Sequence, residues 1–207
     1  MRKLPDYHLT SKSLSTSDRK VIAFAALGYF DCSINEDEAI LISDLAWEFR
    51  KPEQDVLLSC YTFDHPEWTQ IEKLGWQILA KKTFVRKAIF PRRVEYPLVI
   101  GHCPSKECLS KALGLAWNIS GNETVIVLVG DRTKVDSVLE TYVDNIGNLE
   151  NNELCWVTKW PFVFSRDHDG LTVRAYTQQL NADQLLTKFS DFLTNRQIEF
   201  KKVSVLP

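Results

Sequence analysis

The run Glu123-Thr-Val-Ile-Val-Leu-Val-Gly130 constrains the fold more than any other stretch of the chain. Its apolar residues are consecutive, and most are β-branched. A strand with one wet face alternates apolar and polar residues; a strand written without polar positions is covered on both faces. The chain therefore has to place packing layers on both sides of a sheet. At 207 residues, with 44% hydrophobic residues, it is long enough and apolar enough to do so.

Around that run the spacing predicts alternating strands and helices. Tyr96 to Gly101 reads as a short apolar strand. SKECLSKALGLAW follows as a helix, with Ser105 as its cap and Cys108, Leu109, Ala112, Leu115 and Ala116 facing inward. RTKVDSVLETYVDNIG predicts a second helix, with Thr133 and Asp136 as a capping-box variant and Gly147 as its C-cap. ELCWV predicts a strand. PFVFSR and LTVRAYT flank DHDG, whose Asp169-Gly170 predicts a hairpin turn. ADQLLTKFSDFLTN reads as an amphipathic helix and IEFKKVSVL as a last strand. The expectation for residues 96–207 is a mixed-sheet α/β half.

The first half reads differently. Residues 1–17 are polar and Ser/Thr-rich, predicting a flexible arm. Ser17 can cap a helix through VIAFAALGYF that is buried on most sides. Ala39 to Ile42 is either a small strand or a helix start, and Ser43 is a good cap for DLAWEFRK. Lys51-Pro52 breaks that helix, and Pro52 can open another over EQDVLLSCYTF, burying Val56, Leu57, Cys60 and Tyr61. Trp68, Ile71, Leu74 and Ile78 then fall at helical spacing. Alternatively Gly75 ends the helix, and WQILA pairs as a strand with TFVRKAIF, setting Lys81-Lys82 at the tip.

The stretch ISDLAWEFRKPEQDVLLSCY resembles the core of the winged helix-turn-helix class. The resemblance covers residues 18–95 and implies a helical domain with a hairpin wing that reaches a phosphate backbone. Its third helix would open with Glu53, Gln54 and Asp55. Of these only Gln54 suits a base edge, and the acids favour a helix N-terminus electrostatically. The fold expectation is thus α/β (α+β overall): an arm over 1–17, a helical, winged-helix-like half over 18–95, a junction near Pro91 to Pro97, and an α/β half over 96–207.

Charge singles out one segment. KKTFVRKAIFPRR carries Lys81, Lys82, Arg86, Lys87, Arg92 and Arg93 and no acid, in a chain whose formal net charge is -2. Three readings are open. The segment neutralises phosphates, with Phe84 or Phe90 stacking if the target is single-stranded. It meets an acidic protein surface. Or it is a solvated edge strand whose lysines prevent edge-to-edge pairing. The helix over 131–146, with Asp131, Asp136, Glu140 and Asp144, could itself receive these charges, within one molecule or from a second copy.

Catalytic candidates are few. In an open α/β sheet ligands favour the carboxyl ends of strands, where HCPS (102–105) and GDRT (130–133) would lie. Cys103 just before a helix N-terminus, with His102 adjacent, invites a nucleophilic-cysteine reading; a buried structural cysteine is the alternative. The residue six after Cys103 is Leu109, so the Cys-x5-Arg phosphate loop of tyrosine phosphatases is absent, as are glycine-rich phosphate cradles. His102, Cys103 and Cys108 lack a fourth metal ligand, so neither metal nor cofactor is expected. His168 lies in the expected hairpin turn, and His8 and His65 in loops.

The five cysteines are scattered without Cys-x-x-Cys spacing, which indicates a reducing cytoplasm. The start shows no secretory signal and no run spans a bilayer, so no membrane is expected. Function is expected to be that of a non-enzymatic binding protein, a regulatory or accessory subunit. It would contact a protein partner or itself, and a nucleic-acid backbone through residues 81–93. The alternatives are a sequence-specific DNA-binding regulator and a small thiol-dependent or ligand-binding enzyme using Cys103.

Overall fold

The computed structural model describes residues 7–15, 21–28, 35–60, 65–87, 93–120, 125–136, 139, 160–166 and 172–204. The run that demanded two covers forms β6 (Ile126–Gly130), buried at every position. Around it stand β1 (Tyr7–Ser15), β2 (Val21–Gly28), β3 (Asp55–Cys60), β4 (Gln77–Lys87), β5 (Arg93–His102), β7 (Phe162–Arg166), β8 (Thr172–Thr177) and β9 (Phe200–Lys202). Among the described residues they make one sheet of nine strands in the order β4-β5-β3-β6-β7-β8-β2-β1-β9. Among the described strands every pairing is antiparallel except β1 with β9. The helices described are α1 (Asn35–Phe49), α2 (Trp68–Glu72), α3 (Lys106–Ser120) and α4 (Ala182–Asn195). The protein is mixed α+β, and among the described residues no helix is long and apolar enough to cross a membrane.

Strand alternation divides the core in two. Val56, Val99, Val127, Val129, Phe162 and Phe164 join a cluster with the inward residues of α1, α3 and α4. Leu57, Leu98, Ile100, Ile126, Leu128 and Val163 join a second cluster with Val135 and Trp160. Both faces of the central strands are therefore dry, as the continuous apolar pattern requires. Phe49 anchors the first cluster. Its ring meets Phe162, Phe164 and Phe189 edge-on at 5.4, 5.7 and 5.4 Å between centroids. Burying each such ring stabilises the fold by roughly 1.5–3 kcal/mol.

Local chemistry sets the boundaries expected for the second half. Ser105 Oγ accepts from Cys108 N at 3.1 Å, capping α3. Asn181 and Gln184 exchange hydrogen bonds of 2.9 and 3.0 Å in a capping box that starts α4. β7 and β8 pair antiparallel, although the DHDG turn between them lies outside the described residues, as does ELCWV. After β6, Asp131 rather than Thr133 is the cap: Asp131 Oδ1 accepts from Thr133 N at 3.0 Å and from Thr133 Oγ1 at 2.7 Å. Most of the helix expected over 131–146 lies outside the described residues.

The first half departs from expectation. Residues 7–15, expected in a loose arm, form β1, paired residue by residue with β2 from His8 to Ser15 and seating Leu9 at 0% exposure. VIAFAALG is the strand β2, not a helix. It lies between β1 and β8, with Ala23, Ala25 and Leu27 in one core and Phe24 against the other. DVLLSC is the strand β3, not a third helix, held between β5 and β6. Residues 51–54 form a turn, with Gln54 N donating to Lys51 O at 3.0 Å. Ser43 sits inside α1 and donates from Oγ to Ala39 O at 2.6 Å instead of capping.

The first and third helices of the winged-helix reading are thus both central strands. A short, unbroken apolar run satisfies either element, and neighbours decide between them.

The expected wing is also redrawn. Gly75, at φ 91°, closes the turn after α2, but residues 77–87 then run as one strand, β4. Its partner is β5, not the residues that follow Lys82. Lys81 and Lys82 lie within the strand rather than at a tip. The expected junction near Pro91 to Pro97 falls inside the β4–β5 pairing, where Thr83 opposes Pro97.

Candidate functional site: a basic edge strand and a loop cluster

Among the described residues β4 is the outermost strand on its side of the sheet. Gln77, Ile78, Leu79, Lys81 and Thr83 are exposed along it. Ile78 keeps 39% and Leu79 37% of their surface. The register shifts between Ile78 and Ala80, so Leu79 is the extra residue of a bulge.

The basic residues do not converge on one stripe. Lys81 opposes Val99, a member of the first core, and Lys82 opposes Leu98, a member of the second. The two lysines therefore belong to opposite faces of the sheet. Lys82 is half-buried, and its Nζ donates to Leu139 O at 2.8 Å, tying the edge to the segment after β6. Arg86 opposes Val94, and Lys87 opposes Arg93. Arg92, Phe90 and the turn itself lie outside the described residues.

The two loops expected at the carboxyl ends of strands do meet. β3 lies between β5 and β6, and Asp55 at its start gathers both. Asp55 Oδ1 is 3.4 Å from His102 Nε2. Asp55 Oδ2 accepts from Arg132 N at 3.4 Å and lies 3.8 Å from Arg132 Nε. Burial lowers the pKa of His102 from its ordinary value; Asp55 opposes that shift and Arg132 adds to it. Sequence reasoning took Asp55 for a helix-opening acid and missed this role. The only signal that could have found it is the strand pairing of Leu57 with His102 and of Asp55 with Gly130.

Cys103 is not poised as a nucleophile. It is 1% exposed, and its N–H donates to Val56 O at 2.9 Å. Burial, then a hydrogen bond with Cys108, pushes its thiol well above the usual cysteine range. The same bond lowers the Cys108 thiol. Desolvation overrides the helix N-terminus because the side chain enters the first core. Among the described residues no group of three or more His, Cys, Asp or Glu side chains could hold a metal ion.

His65 Nδ1 accepts from Glu67 N at 3.3 Å in an exposed turn, and His8 lies in β1. His168 lies outside the described residues. A groove of about 360 Å³ that sequence reasoning did not anticipate opens between α1, α2 and α3, lined by Ile40, Ile71, Leu115 and Trp117. Gly114 borders it, and a Cβ there would meet nothing within 4 Å.

The chain was compared with family models, curated proteins and solved structures, and none matches it.

Proposed function

We propose that the protein is a non-enzymatic accessory subunit of the cytoplasm that meets an acidic protein partner through the β4 edge. The observation that supports this reading is the position of β4, outermost among the described strands. It carries Lys81, Lys82, Arg86 and Lys87 with no acid, and exposes Ile78 and Leu79 beside Lys81. Exposed apolar residues supply contact area, and the surrounding charge selects the partner and speeds encounter.

A second reading, contact with a nucleic-acid backbone, rests on the Lys87–Arg93 register at the hairpin end. The division of Lys81 and Lys82 between two faces weighs against a continuous track for phosphates.

The test is fluorescence anisotropy of labelled polyglutamate, duplex DNA and single-stranded RNA, titrated with the protein between about 50 and 200 mM salt. A variant with Lys81, Arg86 and Lys87 changed to Ala, shown to fold, is the comparison. Salt-sensitive binding of polyglutamate that weakens in the variant supports the reading. Binding of nucleic acid but not polyglutamate favours the second. No binding of any polyanion at low salt overturns both.

A further inference from the structure

We propose that Asp55, His102 and Arg132 form a proton-operated latch, which holds the turn after β6 on the sheet at neutral pH and lets it go in acid. The latch goes beyond the binding reading above and does not depend on it. One carboxylate serves two elements. Asp55 Oδ1 lies 3.4 Å from Nε2 of His102, the last residue of β5. Asp55 Oδ2 accepts from Arg132 N at 3.4 Å and lies 3.8 Å from Arg132 Nε, in the turn of residues 131–135. The start of β3 thus fastens that turn through a single charged group.

A proton on His102 changes the balance of charge. Two cations then share one carboxylate, where the imidazole keeps only 17% of its surface exposed. The imidazolium competes with Arg132 for Asp55. The two are not equally free to move. His102 is a strand residue, paired with Leu57 on one side and Gln77 on the other. Arg132 stands in a single turn and keeps 53% of its side chain exposed. The turn therefore yields and the strand does not.

The direction follows from linkage. Burial, opposed by Asp55 and helped by Arg132, lowers the pKa of His102, so the open form takes up the proton more readily than the closed one. The latch is complete above the ordinary value near 6.5 and is lost as pH falls through the depressed one. The charged groups that act on His102 are Asp55 from β3 and Arg132 from the turn, and β4 sets the neutral Gln77 opposite. Within the turn, two bonds from Thr133 hold the Asp131 carboxyl below its ordinary range, so that cap does not titrate with His102.

The experiment follows solvent exchange of backbone amides by NMR on the full chain, between about pH 7.5 and 5, corrected for the intrinsic pH dependence of exchange. The Arg132 amide donates to Asp55 and reads the latch; the Thr133 amide donates to Asp131 and reads the turn itself. Residues 162–166 of β7 read the sheet. Protection of the Arg132 amide should fall by about threefold or more toward pH 5, with Thr133 and β7 unchanged. In His102→Gln, which cannot take up the proton, Arg132 should stay protected throughout. In Asp55→Ala it should exchange fast at every pH.

A flat Arg132 profile in the parent chain overturns the latch. So does the same fall in His102→Gln, which would assign the titration to another group. Equal loss at Thr133 or across β7 would mean that the turn unravels or the sheet opens, and overturns it too. A His102 ring that titrates above about pH 6.5 does the same. Should His102→Gln fail to fold, the Arg132 profile and the ring titration decide alone.

Discussion

β9 and β4 close the same sheet at opposite ends by different means. β9 has three residues, Phe200–Lys202, and runs parallel to β1. The chain beyond it is tied down at once: Val203 N donates to Leu9 O at 2.9 Å, and Thr10 Oγ1 donates to Ser204 O at 3.1 Å. A strand that short offers no template for another. β4 has eleven residues, a bulge, exposed Ile78 and Leu79, and lysines on both faces. One edge is blunted by length and capped by its own tail. The other stays long and is guarded by charge and irregularity. Length and a tail blunt one edge, charge and a bulge the other.

The contrast is sharpest against the centre of the molecule. Phe49→Ala should cost about 4 kcal/mol, because three aromatic neighbours lose their shared contact. Urea denaturation measures it, and a loss below about 1 kcal/mol would mean that the first core repacks freely.

The seat of the β4 edge comes next. A Cβ at Gly101 would fall inside the Trp76 indole, which is 4% exposed and packs against Trp68 at 5.4 Å between centroids. Gly101→Ala should therefore cost about 2–3 kcal/mol and speed exchange in residues 77–80 more than in β9. Equal loosening of both edges would break the distinction between them.

At the short edge, Thr10→Val removes one hydrogen bond to Ser204 O and leaves that carbonyl without its donor. About 1 kcal/mol of stability should go, and exchange at residues 200–203 should quicken while β4 is unchanged.

The smallest effect is a pH dependence at the loop cluster beside β4, where Gln77 opposes His102. The folded pKa of His102 lies below its unfolded value near 6.5. Below that value the unfolded chain binds more protons than the native one, so stability falls as pH drops through the folded pKa. Above it the contribution is fully present. His102→Gln should flatten part of the loss between pH 7 and about pH 5. A steeper acid loss in the variant would reverse the sign assigned here.

How far the sequence could be read depended on whether an element carried its own boundary chemistry. α4 was legible because its apolar stripe keeps helical spacing; the capping box of Asn181 and Gln184 that marks its start emerged only in the structure. β7 and β8 were legible because Asp169-Gly170 separates two apolar runs. β2 and β3 were not legible. VIAFAALG and DVLLSC are short, apolar on successive positions, and bounded by no turn residue that excludes a helix. Val and Ile favour strands and Ala and Leu favour helices, so propensity divides within each run.

The candidate site was half legible. The concentration of charge over residues 81–93 was visible. Its division between two faces and its place at the sheet edge were not, since both depend on the register of β4 against β5.

By itself the sequence determined that this chain builds a sheet dry on both faces, because the run from Val125 to Val129 has no polar position to offer water. It also determined where α3 begins, because its cap is a local hydrogen bond between residues three apart. Only the tertiary structure decided that the first half joins that same sheet, that Asp55 gathers His102 and Arg132, and that β4 is left at its margin. Those outcomes depend on contacts between residues far apart in the chain, whose energies exceed the small local preferences for helix or strand.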